Sequence, residues 1–333
     1  MDPLTTIPVS IFGAGLLAFA LLAVLRRVLP ATFLAAGTNS RSNHVLPARQ
    51  IGGLAAIPAA LIAATAAGAA PALPLAAALL LLWLSGLADD WRPHGAAVRL
   101  ALQFLAAFLA LAAMPGPNFV PDFLPDPVAY ALASIFLVWC MNMVNFMDGL
   151  DLMTASGAGI PLAFPGIVLA IGGSGSGFLA CAMAGGLAGF AVHNRPPAKV
   201  FLGDNGSLPL GLVAGIAMLS LAGKVGPLAA LAPFAYYFWD SGITLVQRLS
   251  RKENIFASHS SHAYQRAFRA GMPAMRIAAL VATASVLSGL MVIAAAMAPS
   301  PITQAVAGLA GLACGFLAWW RLDNAARKSG KAG

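Results

Sequence analysis

The chain is organised as a series of long apolar stretches separated by short polar segments. A membrane-spanning helix needs ~20 largely apolar residues, and about eleven stretches approach that length. They are rich in Ala, Leu and Gly, and the small residues let membrane helices pack closely. The pattern predicts one all-α membrane domain over residues 1–333, with spanning helices at roughly 9–29, 51–70, 72–88, 98–114, 128–147, 153–172, 178–193, 207–222, 227–247, 276–298 and 301–320.

The composition supports this interpretation. Hydrophobic residues make up 60% of the chain and charged residues only 9%, with a mean hydropathy of +0.84. A soluble domain carries about 25% charged residues, so this chain cannot cover a water-facing surface. Its three cysteines fall inside predicted spans and form no disulfide pattern.

The basic residues predict an orientation. Arg26 and Arg27 follow the first apolar stretch and no basic segment precedes it, which favours an uncleaved anchor with an outside N-terminus. With eleven spans, 18 of the 19 Lys and Arg residues then lie on the cytoplasmic side, and only Lys224 lies outside. This asymmetry accounts for the net charge of +8 better than nucleic-acid binding does. The predicted cytoplasmic segments are about 30–50, 89–97, 148–153, 194–206, 248–275 and the C-terminal tail 321–333.

Six acidic residues lie on or just inside the same predicted face. Carboxylates near membrane depth are energetically costly, and their presence indicates function by default. These residues are Asp89, Asp90, Asp148, Asp151, Asp204 and Asp240.

Two polar clusters end predicted spans. Asp89 and Asp90 close the third stretch, and adjacent carboxylates repel one another unless a cation or a proton lies between them. A solvated helix end is the alternative. At the end of the fifth stretch, four polar residues are spaced by three, which predicts one stripe along a helix. A purely structural stripe is the alternative for this set, which comprises Asn142, Asn145, Asp148 and Asp151.

A third cluster occupies the segment NRPPAKVFLGDNGS, residues 194–207. Gly203 and Gly206 flank Asp204 and permit a close approach of the backbone to a ligand. Ser207 is expected to cap the next helix, whose N-terminal amides would face an anion. A tight loop with a capping serine is the structural alternative.

The fourth cluster lies in the longest predicted loop. His259 and His262 are three residues apart, but no Cys or third His supports a zinc site. With Arg266 nearby, phosphate binding fits better, because the guanidinium fork matches phosphate oxygens. A merely basic cytoplasmic loop is the alternative.

Together the clusters predict phosphoryl-transfer chemistry at the membrane surface. Hard oxygen ligands with few histidines favour Mg²⁺, or Mn²⁺, over zinc. A divalent ion beside basic residues suits a diphosphate, whose reaction depends on positioning and on neutralisation of charge. The depth of the site indicates one lipid substrate and one substrate from the cytosol.

The order of these motifs resembles a known enzyme family. GLADD, NMVNFMDGLD, NRPPAKVFLGDNGS, Asp240, QRL at 247–249 and SHSSHAYQRA are similar to the polyprenyl-phosphate N-acetylhexosamine-1-phosphate transferases, relatives of phospho-MurNAc-pentapeptide translocase. The resemblance runs from about Arg41 to Arg266. The final loop resembles the O-antigen and surface-polysaccharide branch, since the peptidoglycan branch usually carries three consecutive histidines.

The resemblance implies an activity and a location. Undecaprenyl phosphate and a UDP-N-acetyl-sugar would give undecaprenyl-diphospho-sugar and UMP at the cytoplasmic face of the bacterial inner membrane. Membrane lipids are further expected partners, nucleic acid is not, and a homodimer is left open. The UDP-sugar and the polysaccharide pathway are not predicted.

The resemblance also implies roles for individual residues. Mg²⁺ would be bound by Asp204 and Asn145. The uridine would be held by Asp151, Asn194 and Phe201. The diphosphate or sugar would be contacted by His259, His262 and Arg266. Catalysis, or positioning of the lipid phosphate, would fall to Asp89, Asp90 and Asp148. Weaker phosphate-binding candidates are Arg41 and Arg49.

One departure from the family pattern concerns the nucleoside pocket. Many relatives read Asp-Gly-x-Asp-Gly where this chain has Leu152 in place of the second glycine. The main alternative function is a secondary transporter, although transporter sites usually lie near the bilayer midplane between repeats. A lipid-binding scaffold and a family member that binds without turnover are further alternatives.

Overall fold

The computed structural model describes residues 2–35, 48–114, 116, 124–254 and 259–329. These residues form an all-α fold, and the only β-type pairing among them consists of two isolated bridges. The helices are α1 (Pro3–Val28), α2 (Gly52–Ala66), α3 (Leu73–Trp91), α4 (Ala96–Ala112), α5 (Asp126–Met147), α6 (Ile160–Ile171), α7 (Gly175–His193), α8 (Asp204–Val225), α9 (Pro227–Leu231), α10 (Ala235–Ser250), α11 (Ala263–Arg269), α12 (Ala274–Met297) and α13 (Pro301–Ser329).

Every predicted apolar stretch overlaps a helix, which confirms the all-α prediction. Within the described residues, seven helices are long and apolar enough to cross a membrane: α1, α3, α5, α7, α8, α12 and α13. Three apolar helical segments are shorter, namely α2, α4 and Ala155–Ile171, where a π-helical turn precedes α6. The predicted stretch 227–247 is divided among α9, a 3₁₀ turn and α10. The total of eleven spans and the orientation stay predictions.

The outer helices expose large apolar side chains. Leu4 is 76% exposed, Phe12 74%, Met297 80% and Ile302 77%. Apolar patches of this kind on helices of spanning length are matched to lipid and not to water. The protein is therefore a multi-pass membrane protein.

Small residues bring the inner helices close together, as the sequence predicted. A Cβ atom added to Gly185 of α7 would collide with the carbonyl of Ile11 in α1, and one on Gly189 would collide with the carbonyl of Gly15. In α8, Gly211 lies in the same way against Met141 of α5. Close backbone approach of this kind is how membrane helices gain packing energy.

Candidate functional site

The N-terminal turn of α8 is held by a carboxylate from another helix. Asp90, in the last turn of α3, accepts hydrogen bonds from the backbone N–H groups of Asp204 at 2.9 Å and Asn205 at 3.1 Å. It also accepts from Nδ2 of Asn205 at 2.5 Å. These amides have no partner within their own helix, and they carry the positive end of the helix dipole. Asp90 therefore acts as the N-terminal cap of α8.

This arrangement corrects the predicted role of Ser207. The helix begins at Asp204, and Gly203, at the capping position, has a φ of 78°. Ser207 lies inside the first turn, and its hydroxyl accepts a hydrogen bond from Nδ2 of Asn145 at 2.9 Å. The predicted serine cap is wrong because Asp90 already occupies the capping site.

Asp204 lies at the centre of the polar cluster. Its Oδ1 accepts a hydrogen bond from Nδ2 of Asn145 at 2.7 Å, and a side-chain hydrogen bond joins Asp204 to Asp89. Asp89 in turn accepts from the backbone N–H of His94 at 2.7 Å and lies 3.5 Å from Arg99. Two carboxylates come this close only when a proton or a cation lies between them.

Asp148 reaches the same turn from α5. It directly follows the last residue of α5, accepts a hydrogen bond from the Thr154 hydroxyl and is hydrogen-bonded to the backbone of Gly203. The pKa of Asp148 is raised to about 7, chiefly by burial and also by the neighbouring carboxylates of Asp204 and Asp90, against the lowering effect of the Thr154 and Gly203 bonds. Asp90, Asp148 and Asp204 thus meet around residues 203–205, as the sequence predicted.

The predicted helical stripe is only partly correct. Asn142 and Asn145 lie on α5, but the helix ends at Met147, so Asp148 and Asp151 lie beyond it. None of the described hydrogen bonds of Asn142 goes to a carboxylate. It pairs with the buried Gln103 of α4, donating to Oε1 at 2.7 Å.

Glycines on two other helices make room for the cluster. A Cβ atom on Gly86 of α3 would come within 2.5 Å of the Asp204 carbonyl carbon, and one on Gly53 of α2 would collide with the Asn205 side chain. Gly206 packs against Leu202 and Gly53. Gly206, predicted to let a ligand approach the backbone, lies in this packing contact, and Gly53 was not singled out from the sequence.

Asn194 joins the two loops beside the cluster. Its Oδ1 accepts from the backbone N–H of Leu152 at 2.7 Å, and its Nδ2 donates to the Val200 carbonyl at 2.8 Å. Asp151 makes a parallel connection, accepting from the backbone N–H of Ala198 at 2.9 Å. Both side chains are only 5% exposed. They shape the loops around the predicted nucleoside pocket, with their described hydrogen bonds going to backbone groups.

Leu152 occupies a backbone conformation that favours glycine. Its φ is 62°, in the left-handed region. For a residue with a Cβ this conformation costs roughly 1–2 kcal/mol. The position of the missing second glycine is therefore a strained one, occupied by a residue poorly suited to its backbone conformation.

Phe201 and Arg49 lie at the junction of α1, α2 and the loop before α8. The backbone N–H of Phe201 donates to the Arg49 carbonyl at 2.9 Å, and the Phe201 side chain is half-buried. The Arg49 guanidinium donates to the carbonyls of Arg26 and Leu29, both at 2.9 Å. It thereby satisfies orphan carbonyls at the end of α1. Arg41 lies outside the described residues.

The two predicted histidines lie side by side. Their ring centroids are 4.9 Å apart, and His259 also lies 6.5 Å from the ring of Phe146, at the end of α5. Burial, followed by the charges of His262 and Arg248, lowers the pKa of His259 to about 4. His259 is consequently neutral at pH 7 and offers a phosphate a hydrogen bond but no positive charge.

Arg266 is engaged elsewhere. Its guanidinium donates to Asp323 of α13 at 2.5 Å, and Asp323 also pairs with Arg327. The described contacts of Arg266 thus fix α11 to α13. They do not place its guanidinium against the carboxylate cluster at the start of α8.

The cluster has the donor chemistry of a site for a hard divalent cation. Within the described ranges, no group of three or more His, Cys, Asp or Glu side chains has a metal-binding arrangement. Mg²⁺ usually takes one or two carboxylates together with waters and substrate phosphates, and not a complete protein cage. The contact between Asp204 and Asp89, with Asn145 beside them, fits this limited requirement.

The fold and the site define a class of protein: a multi-pass helical membrane protein with a carboxylate cluster where several helix ends meet. Comparison with known proteins shows what the central region is similar to. Residues 72–222 match the model of glycosyl transferase family 4, which makes this region similar to that family. The matched region contains Asp89, Asp90, Asn145, Asp148 and Asp204.

The chain is also similar to bacterial proteins named phospho-N-acetylmuramoyl-pentapeptide-transferase. The protein from Synechococcus elongatus is 34% identical over 193 residues, which cover 51% of this chain and 53% of the relative. The one from Synechococcus sp. strain CC9605 is 36% identical over 201 residues, covering 51% and 56%. The one from Trichormus variabilis is 32% identical over 222 residues, covering 60% and 58%. The matches therefore span about half the length of these curated relatives.

Proposed function

We propose that the protein transfers an N-acetyl-sugar-1-phosphate from a UDP-sugar to undecaprenyl phosphate, releasing UMP. The observation that carries the proposal is the meeting of Asp90, Asp148 and Asp204 around the first turn of α8. The family of the matched domain and the transferase names of the relatives support the same reaction class. The cytoplasmic face of a bacterial inner membrane is part of this proposal.

The site residues divide into those that act on substrate and those that hold the site in shape. We assign Mg²⁺ binding to Asp204 and Asn145, with Asp89 beside them. When bound, the ion would neutralise diphosphate charge, which is the main requirement of phosphoryl transfer. Asp90 positions Asp204 through its bonds to the backbone of α8. Asp151 and Asn194 hold the loops that would receive uridine, and Phe201 offers the ring for stacking on uracil.

We favour direct attack of the lipid phosphate on the sugar-linked phosphorus. A phosphate monoester has a second pKa of about 6, so it is mostly dianionic at neutral pH and needs no strong general base. A phosphate-labelled enzyme, trapped with radiolabelled UDP-sugar in the absence of lipid acceptor, would overturn this mechanism in favour of an aspartyl-phosphate intermediate.

The sugar donor is the open choice within this function. The spacing of His259 and His262, without a run of three histidines, favours a UDP-N-acetylhexosamine and entry into O-antigen or surface-polysaccharide synthesis. The names of the relatives favour instead a donor that carries the N-acetylmuramoyl-pentapeptide. Both donors carry the same uridine. Leu152, which lies beside the residues assigned to uridine, therefore does not distinguish them.

A donor panel tests the proposal. Purified protein receives undecaprenyl phosphate, Mg²⁺ and, one at a time, UDP-N-acetylhexosamines and UDP-N-acetylmuramoyl-pentapeptide, with UMP and lipid-linked sugar as readouts. We expect both products in equal amounts with one donor class and neither without the lipid. Absence of UMP with every donor would overturn the proposal, and flux of solute into liposomes without UMP would favour the transporter alternative.

A further inference from the structure

A fully buried carboxylate ties the histidine loop to the neighbouring helix. Asp240 of α10 has no exposed surface. Its Oδ1 accepts from the backbone N–H of Ala263 at 2.8 Å and lies 3.4 Å from Nδ1 of His262. Its Oδ2 accepts from the hydroxyl of Tyr236 at 2.8 Å. A buried charge is tolerated only when it is paired and hydrogen-bonded, so Asp240 fixes the start of α11 and the ring of His262.

The same contacts extend to the carboxylate cluster. His262 is 2% exposed, is stacked on Tyr264 at 5.9 Å and lies beside His259. The hydroxyl of Tyr264 donates to the Phe146 carbonyl, two residues before Asp148, at 3.3 Å. Neither ring nitrogen of His262 makes a hydrogen bond among the described residues, so Asp240 holds this ring through its 3.4 Å contact with Nδ1. Asp240 thus sets the position of two aromatic rings that link α11 to the end of α5.

We infer that Asp240 is a positioning residue for the transfer reaction, holding His262 by its Nδ1 so that the pair His259–His262 stays beside the end of α5. This inference rests on the proposed function for its catalytic consequence, but its structural part can be tested without substrate. Asp240 itself is buried and does not touch substrate; it acts through His262. Partners that orient a functional histidine through its second ring nitrogen are a recurring device in enzymes.

The test combines turnover with histidine labelling. Asp240→Asn keeps the shape of the side chain and removes its charge, whereas the control Thr244→Val removes one donor at 3.3 Å and keeps the carboxylate. Each variant is assayed for UMP release and treated with diethyl pyrocarbonate, which modifies accessible neutral imidazoles, with peptide mass spectrometry as readout. His193, buried on α7, serves as the internal reference.

We expect Asp240→Asn to lower kcat by about tenfold to a hundredfold. Labelling of His262 should rise while labelling of His193 stays at the wild-type level. Thr244→Val should keep kcat within about threefold, because Asp240 keeps its charge and its bonds to Ala263 and Tyr236. If Asp240→Asn does not yield monodisperse protein, Asp240→Glu, which keeps the charge but displaces it, enters the same assay with the same criteria.

Three results would overturn the inference: unchanged kcat in Asp240→Asn, continued protection of His262, or a parallel rise in labelling of His193, which would indicate general loosening. The two proposals fail separately. If wild-type protein releases no UMP, the proposed reaction fails, and the labelling of His262 against His193 still decides whether Asp240 holds the histidine.

Discussion

The two ends of the helix bundle differ in the side chains that line them. At one end, α3, α5 and α8 bring three carboxylates around a single turn, with amides and backbone N–H groups as their partners. At the opposite end, α3 and α8, together with α4, α6 and α7, line a cavity of about 500 Å³ with largely apolar and small residues, and Lys224 and three serines are its polar members. The groove beside Asp89 measures only about 110 Å³.

The comparison teaches that cavity size and chemistry are separate properties in this fold. Loosely filled space at a helix end requires only small residues, whereas buried carboxylates require partners for every oxygen. Natural sequences retain such costly groups inside membrane proteins where function uses them. Substitutions should therefore affect turnover at the end that carries the carboxylates, and not in the large cavity at the other end.

The largest effect among the structural residues is expected at Asp90. Asp90→Ala removes the cap of α8 and should cost about 1–2 kcal/mol of stability, in the range of strong N-caps. It should also lower UMP release by about tenfold to a hundredfold, because Asp204 begins the helix that loses its cap. Thermal unfolding in detergent and the UMP assay measure the two effects.

Asp126→Ala is the matched control for Asp90. Asp126 is likewise an aspartate at the N-terminal turn of a helix, but it belongs to that helix, α5, is exposed and lies at the opposite end of the bundle. It should leave both stability and activity unchanged. Equal losses in the two variants would remove the distinction between the ends.

A smaller effect is expected at Leu152. Both Leu152→Gly and Leu152→Ala remove the side chain, but only glycine relieves the φ of 62°. The glycine variant should therefore be more stable than the alanine variant by about 1 kcal/mol. Chemical or thermal unfolding of the two proteins in the same detergent measures this difference, and an alanine variant of equal or greater stability would show that the backbone is not strained.

The smallest effect is expected in the cavity at the opposite end. Lys224→Gln removes the only Lys or Arg side chain among the described residues that line this cavity, and it should keep UMP release within about twofold of wild type. A loss comparable to that of Asp90→Ala would contradict the comparison, since it would show that the large cavity takes part in turnover.

The meeting of the carboxylates was predictable because alternating spans return their polar ends to one side. Asp90, Asp148 and Asp204 follow apolar stretches that must all cross the same layer, so topology alone brings them to one level. The helices themselves were predictable for the same reason, since long apolar runs admit no other structure in lipid.

The partners of these residues were not predictable, because they depend on which helices become neighbours. The sequence gives no sign that Asp90 caps α8 or that Asn194 reaches the loop of Leu152, since these partners are 114 and 42 residues apart. The positive φ of Leu152 was not predicted either, although the missing glycine was noted, because a residue with a side chain normally has a negative φ. Local spacing also placed Asp148 on a helix that ends one residue earlier.

The central claim is that the carboxylates at the start of α8 perform metal-assisted phosphoryl transfer. The direct measurement is UMP release from UDP-sugar and undecaprenyl phosphate by wild-type protein and Asp204→Asn, each with Mg²⁺ and with EDTA. We predict release by wild type that EDTA stops and added Mg²⁺ restores, and a loss of about a hundredfold or more in Asp204→Asn. Wild-type rates in Asp204→Asn, or full activity in EDTA, would contradict the account.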